Sequence, residues 1–251
     1  MVGPFLAKAL EPPSPKAVAN ALELLSTIGA MVAETEELTP LGHHLAALPV
    51  DPKIGKMLLM GALFGCIEPV LTIAAGLAHR DPFLLPMDKK EQVDEIKRQL
   101  AAGSYSDHIA LLKAYDGYEA AGYQKRQYAH RHFLSENTLR LMGEMRGQFR
   151  ELLADASFLR SRHPPPRGTS DPSNRHGNDM GLVKAVLSAG MFPNVVSVVS
   201  GKRKAKLRTR EDGKVEAHPG SVNAWTGYFP GNWMVYRLVG HVQTLKWIHY
   251  H

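Results

Sequence analysis

Six of the ten residues from Gly201 to Arg210 are basic: Lys202, Arg203, Lys204, Lys206, Arg208 and Arg210, with Lys214 four positions further on. Ammonium and guanidinium groups at this density suit charge-assisted contact with a polyanion such as a nucleic-acid backbone. The question is whether they are held in place. Along 204–210 the cations alternate with Ala205, Leu207 and Thr209, a period of two that sends the charges to one side of a β-strand. Glu211-Asp212-Gly213-Lys214 then puts a glycine where a hairpin turn needs positive φ. We therefore expect a folded hairpin with one cationic face rather than a loose basic tail. A solvated edge strand also uses lysine to discourage aggregation. Two neighbours favour binding: His218 and Asn223 carry groups able to hydrogen-bond to bases or ribose.

Other chemistries fail on spacing. Gly55-Lys56 imitates the end of a P-loop, but Val50 stands where the first glycine belongs and Met57 replaces the Mg²⁺-binding hydroxyl. His79-Arg80-Asp81 begins like a kinase catalytic loop, but Pro86 occupies the asparagine position and no glycine-rich loop precedes it. The twelve histidines, His43-His44 and the closing His-Tyr-His included, do not combine with acids at ligand spacing. No catalytic constellation and no metal site is expected.

The elements that must position the cations follow from composition and period. A chain of 251 residues, 44% hydrophobic and 22% charged, has apolar surface for one to three cores. Its net charge of +6 favours anionic partners. The single cysteine, Cys66, cannot form an internal disulfide or a thiolate cage; it fits a reducing compartment and a place in a core. The N-terminus lacks a secretory pattern, and no apolar run reaches the roughly 18 residues of a membrane span. A soluble intracellular protein of cytoplasm or nucleus is expected.

Ser14-Pro15 starts a helix carrying Val18, Leu22, Leu25 and Ile28 until Gly29 ends it; two very short strands follow, and Thr39-Pro40 starts a second helix ending at Pro49. Helix, small wing, helix is compatible with part of a winged-helix module over 1–52. From 53 to 160 the pattern is helical. The stretches around 51–66 and 68–78 are apolar nearly all round, hence buried on most sides. Ser106 or Asp107 caps another helix. A last helix over 136–154 gathers Leu141, Met142, Met145, Phe149, Leu152 and Leu153 in one arc. Arg140 and Arg150 are expected on its other side. Arg146, at the edge of the arc, needs a partner, a carboxylate ahead of a phosphate. Residues 161–179 have linker composition. From 180 to 251 a short helix leads into several short strands, as in a small barrel of the oligonucleotide-binding type. The fold class is thus mainly α with a C-terminal β part.

Specific strings carry a family resemblance. "LTPLGHHLAALPVDPKIGKMLLMGALFGC", "EPVLTIAAGLAHRDPF", "SDHIALLKAYDGYE", "FLSENTLRLMGEMRGQF" and "LVKAVLSAGMFPNVV", with "HPGSVN" beyond, stand in the order seen in the C-terminal region of DEAH-box, RNA helicase A-like helicases. The subgroup that also resolves G-quadruplexes is especially similar. The resemblance implies a partial winged helix (1–52), a helical ratchet or helicase-associated domain (53–160), a linker (161–179) and an OB-like domain (180–251). In the family these pack on two RecA-like motor domains and close a channel for single-stranded RNA or DNA. It further implies that His218, Ser221 and Asn223 lie near nucleic acid, and that the helix with Asn137, Arg140 and Arg146 resembles the ratchet helix. The motor motifs, P-loop and D-E-x-H, are absent, so ATP and Mg²⁺ are expected only in the intact helicase and this chain alone is expected to be inactive. The closing "GHVQTLKWIHYH" does not align with the family barrel, which is expected to be incomplete. A protein-interaction module, or an RNA-binding competitor without a motor, is the alternative.

Overall fold

A computed structural model describes residues 2–164, 171–201, 204–224, 226–242 and 245–249. Lys202 and Arg203 therefore lie outside the described residues.

The helices start where capping residues and prolines predict. Helix α2 (Pro15–Thr27) is capped by Ser14, α3 (Pro40–Ala46) by Thr39 and α4 (Pro52–Leu63) by Asp51; each has Pro in its first turn, where a missing N–H costs nothing. A short α1 (Val2–Leu6), not anticipated from sequence, precedes them. The wing between α2 and α3 is reduced to one bridge, Met31 with Leu38. Gly42 on α3 sits against that bridge so closely that a Cβ would lie 1.9 Å from the Ala30 carbonyl oxygen. Only glycine fits there.

Helix α5 (Ile67–Ala78) is the centre of the body: every residue but Glu68 and Ala78 is buried. It packs against α4, α7 (Asp107–Ala120) and α9 (Glu136–Asp155), which explains why its sequence is apolar all round. Cutting a fully buried side chain such as Leu71 to Ala would cost about 2–5 kcal/mol. The remaining helices, α6 (Lys90–Ala101) and α8 (Lys125–Arg131), are more exposed. Ser106, not Asp107, caps α7, accepting a hydrogen bond from Ile109 N at 3.3 Å.

Two findings redraw the boundary expected at 161–179. First, 171–179 is built into the body. Asn174 Oδ1 accepts from Glu68 N at 3.0 Å, satisfying an N–H at the start of α5 that no local residue caps. His176 N donates to Gly65 O at 2.7 Å. Second, α10 (Met180–Met191) packs its Val183, Val186, Leu187 and Met191 into the helical core. The β unit begins only after it.

That unit is one sheet in the order β4-β1-β2-β3-β6-β5. Strands β1 (Val195–Val199), β2 (Lys206–Thr209), β3 (Gly213–Ala217) and β4 (Trp233–Val235) pair antiparallel with one another. β6 (Leu245–His249) lies parallel to β3 and antiparallel to β5 (Leu238–Val242). Among the described residues no pairing joins the outer strands β4 and β5. A second core of Val196, Val198, Leu207, Val215, Phe229 and Tyr236 covers the inner face.

Candidate nucleic-acid interface

The hairpin predicted from alternation is present. Lys206 and Arg208 are exposed while Leu207 and Thr209 are buried, because a strand sends successive side chains to opposite faces. Arg210 to Asp212 link β2 to β3, Gly213 takes φ +70°, and Asp212 N donates to Thr209 Oγ1 at 3.0 Å. The register sets Arg208 opposite Lys214. Like charges placed across a ladder repel, an arrangement that an anion between them relieves. Among the described residues Lys206, Arg208, Arg210 and Lys214 have no carboxylate at ion-pair distance, whereas Lys204 Nζ is tied to Glu216 Oε2 at 2.8 Å.

The same pairings continue the outer face. Trp233 opposes Ser197, Ser197 opposes Arg208, and Arg208 opposes Lys214, so one transverse row carries an indole and two cations. Trp233 is 70% exposed. Cations beside an open aromatic suit a single strand, whose phosphates and bases need different partners. Trp233 was not singled out from sequence, although its position at the head of "WMVYRLV" was the available signal.

The loop 218–223 is tied into the protein. Ser221 Oγ donates to Asp107 Oδ2 at 2.6 Å, Val222 N to Asp107 Oδ1 at 2.9 Å, and Asn223 Nδ2 to Tyr105 O at 2.9 Å. Lys90 and Lys97 donate to the carbonyls of Pro219 and Gly220. His218 Nδ1 accepts from Gly220 N at 3.1 Å. This loop thus latches the β unit to α6 and α7. Burial pushes the Asp107 carboxyl up to about 6, against the opposing pull of Ser221, Val222 N–H and Lys97.

Helix α9 holds its cations differently. Arg140 is exposed and pairs with Glu144 at 2.7 Å and Asn137 at 2.9 Å. Arg146 bonds to Glu68 and stacks over Tyr115 at 4.9 Å; its partner is the carboxylate that its place at the edge of the arc called for. Arg150 corrects the sequence expectation. Instead of projecting outward it is 4% exposed, bonded to Glu68 and 3.6 Å from Asp171. The helical wheel was right about the angle and silent about α5 and the 171–179 segment, which cover that side.

A second concave feature escaped the sequence because segments far apart in the chain build it. A cleft of about 940 Å³ lies between α4, α9, Met191 and the start of the β unit. Lys53, Gln148, Asn194 and Arg237 line it; Lys53 Nζ donates to Asn194 Oδ1 at 2.8 Å and Asn194 Nδ2 to Arg237 O at 2.9 Å. Burial pulls both Lys53 and Arg237 below their usual range, with Asp51 opposing. Half-desolvated cations gain from an anionic ligand. Among the described residues no cluster of three His, Cys, Asp or Glu could hold a metal ion, and no helix is long and apolar enough to cross a membrane.

Helical body, reduced wing and basic sheet match a known class. Residues 21–50 match the winged-helix domain and residues 51–111 the ratchet-like domain of the helicase-associated (HA2) family. The chain belongs with the C-terminal helicase-associated region of the DEAH-box RNA helicases. It is 52% identical over 94% of its length to the DExH-box ATP-dependent RNA helicase DExH1 of Arabidopsis thaliana. It is 43% identical over 93% of its length to the ATP-dependent DNA/RNA helicase DHX36 of Homo sapiens, and 39% over 87% to the ATP-dependent RNA helicase DHX29 of Mus musculus. The chain spans about a quarter of the first two, 23% and 24%, and 17% of the third.

Proposed function

We propose that this chain is the nucleic-acid-gripping part of an ATP-dependent RNA helicase, binding single-stranded RNA or DNA for a RecA-like motor. The observation that carries the reading is the outer row of the sheet, where exposed Arg208 and Lys214 stand opposite each other beside Trp233. The cleft at Lys53 and Arg237 supports a strand path that continues between the helical body and the β unit, lining a channel once motor domains are packed on it. The relative DHX36 is a DNA/RNA helicase, which agrees with a site that reads backbone and base stacking rather than sugar. A G-quadruplex is a further ligand to try, and an intracellular setting follows from such a task.

The test is anisotropy of end-labelled single-stranded RNA at several salt concentrations. Affinity falls with salt, the slope losing about 0.7 for each phosphate contact removed. The triple change Lys206→Glu, Arg208→Glu, Lys214→Glu lowers affinity at least about tenfold at low salt without moving the melting temperature, since among the described residues none of the three has a carboxylate at ion-pair distance. No binding at low salt, or an unaffected variant, would turn the reading to a protein-interaction module.

A further inference from the structure

A cavity of about 410 Å³ opens along the edge strand β4, where it meets the link into α7 and the middle of α10. Three of its walls are aromatic: Tyr105, Phe229 and Trp233. The Tyr105 and Phe229 rings lie 5.5 Å apart at 56°. Leu187 forms part of the apolar lining. Two polar groups stand among them. Ser104 Oγ is enclosed and makes no hydrogen bond among the described residues. Lys184 Nζ donates to Ser104 O at 3.0 Å and keeps donors to spare at the mouth. Tyr105 is held at φ +55°, a costly conformation for a tyrosine, with its carbonyl fixed by Asn223.

We infer that this cavity receives one unstacked nucleobase from a single strand whose phosphates lie on the cationic face. The inference rests on the proposed nucleic-acid binding and names where a base goes. Flat aromatic walls suit a flat π-system, an enclosed hydroxyl and an ammonium suit its ring nitrogens and carbonyls, and the cavity is too polar at its mouth for a purely apolar ligand. Position supports the same occupant. Trp233 belongs both to the cavity wall and to the row of Arg208, two strand spacings or roughly 10 Å away, a span that neighbouring nucleotides cover.

Gly231 lines the mouth, is exposed, and a Cβ added there meets nothing within 4 Å, so Gly231→Phe plugs the cavity without disturbing the fold. Two probes of equal length are titrated: an intact single-stranded RNA and an abasic oligomer that keeps every phosphate. The plugged variant binds the intact RNA about tenfold more weakly and the abasic oligomer as wild type does, with the salt slope unchanged. Ser188→Phe, at an exposed position of α10 on the cavity lining, gives the same pattern and guards against a local effect of the first change. Unchanged affinity for intact RNA in both variants, or an equal loss for both probes, overturns the subsite while leaving the proposed function standing. Failure of wild type to bind either probe at low salt overturns the proposed function and the subsite with it.

Discussion

Arg146 and Arg208 are the same residue type put to opposite uses. On α9, Arg146 and Arg150 converge on one carboxylate, Glu68, and their charge is spent inside the protein. On β2, Arg208 faces Lys214 and solvent with no acid at ion-pair distance among the described residues, so its charge remains available. What separates the two regions is the neighbour supplied by another part of the chain. A cation count reports neither case; an inventory of carboxylates within reach does.

The largest test of that contrast is Glu68→Ala. It leaves Arg150, only 5% exposed at its side chain, without its main counter-charge, and is expected to cost about 3 kcal/mol, read from the urea unfolding midpoint. RNA affinity of the folded variant stays within about twofold. A rise in affinity would instead mean that Glu68 withholds arginines from the ligand, and would move the interface onto α9.

Next is the latch that joins the two regions. Asp107 has its folded pKa raised to about 6 from 3.8, so between about pH 4 and 6 the folded state holds more protons than the unfolded one. The contribution of this group to stability therefore falls as pH rises through that window and levels off above it. Asp107→Asn removes the fall. The difference in unfolding free energy, variant minus wild type, is expected to rise by about 2 kcal/mol between pH 4 and pH 7. A flat difference would show that the carboxyl is better solvated than the latch geometry implies.

The smallest expected effect is at Arg140, whose pair with Glu144 is exposed on both sides. Arg140→Ala changes stability by less than about 0.5 kcal/mol. A several-fold loss of RNA affinity without a change in melting temperature would bring the N-terminal end of α9, Asn137 included, into the interface and blur the contrast.

How much of this was legible depended on whether the cause was local. Ser14-Pro15, Thr39-Pro40 and Ser106 announce helix starts because capping needs only neighbours within three residues. The hairpin was legible because alternation and Gly213 both act over a few residues. Arg150 was misread because its partner comes from α5 and from a segment that looks like a linker. The internal partners of Ser221 and Asn223 were not legible because a hydrogen-bonding side chain in a loop carries no mark of its partner; Asp107 and Tyr105 lie more than a hundred positions away. The cleft and the β4 cavity are properties of packing, with no signature in any single stretch.

Helix α10 has a practical consequence. Its sequence follows a proline-rich stretch, so a graft or exchange of the basic sheet would naturally be cut near residue 180. Such a cut would strip Val183, Val186, Leu187 and Met191 from the bundle that they complete and leave an open wound along α4. The seam that chimeras should respect lies one helix later, at Phe192.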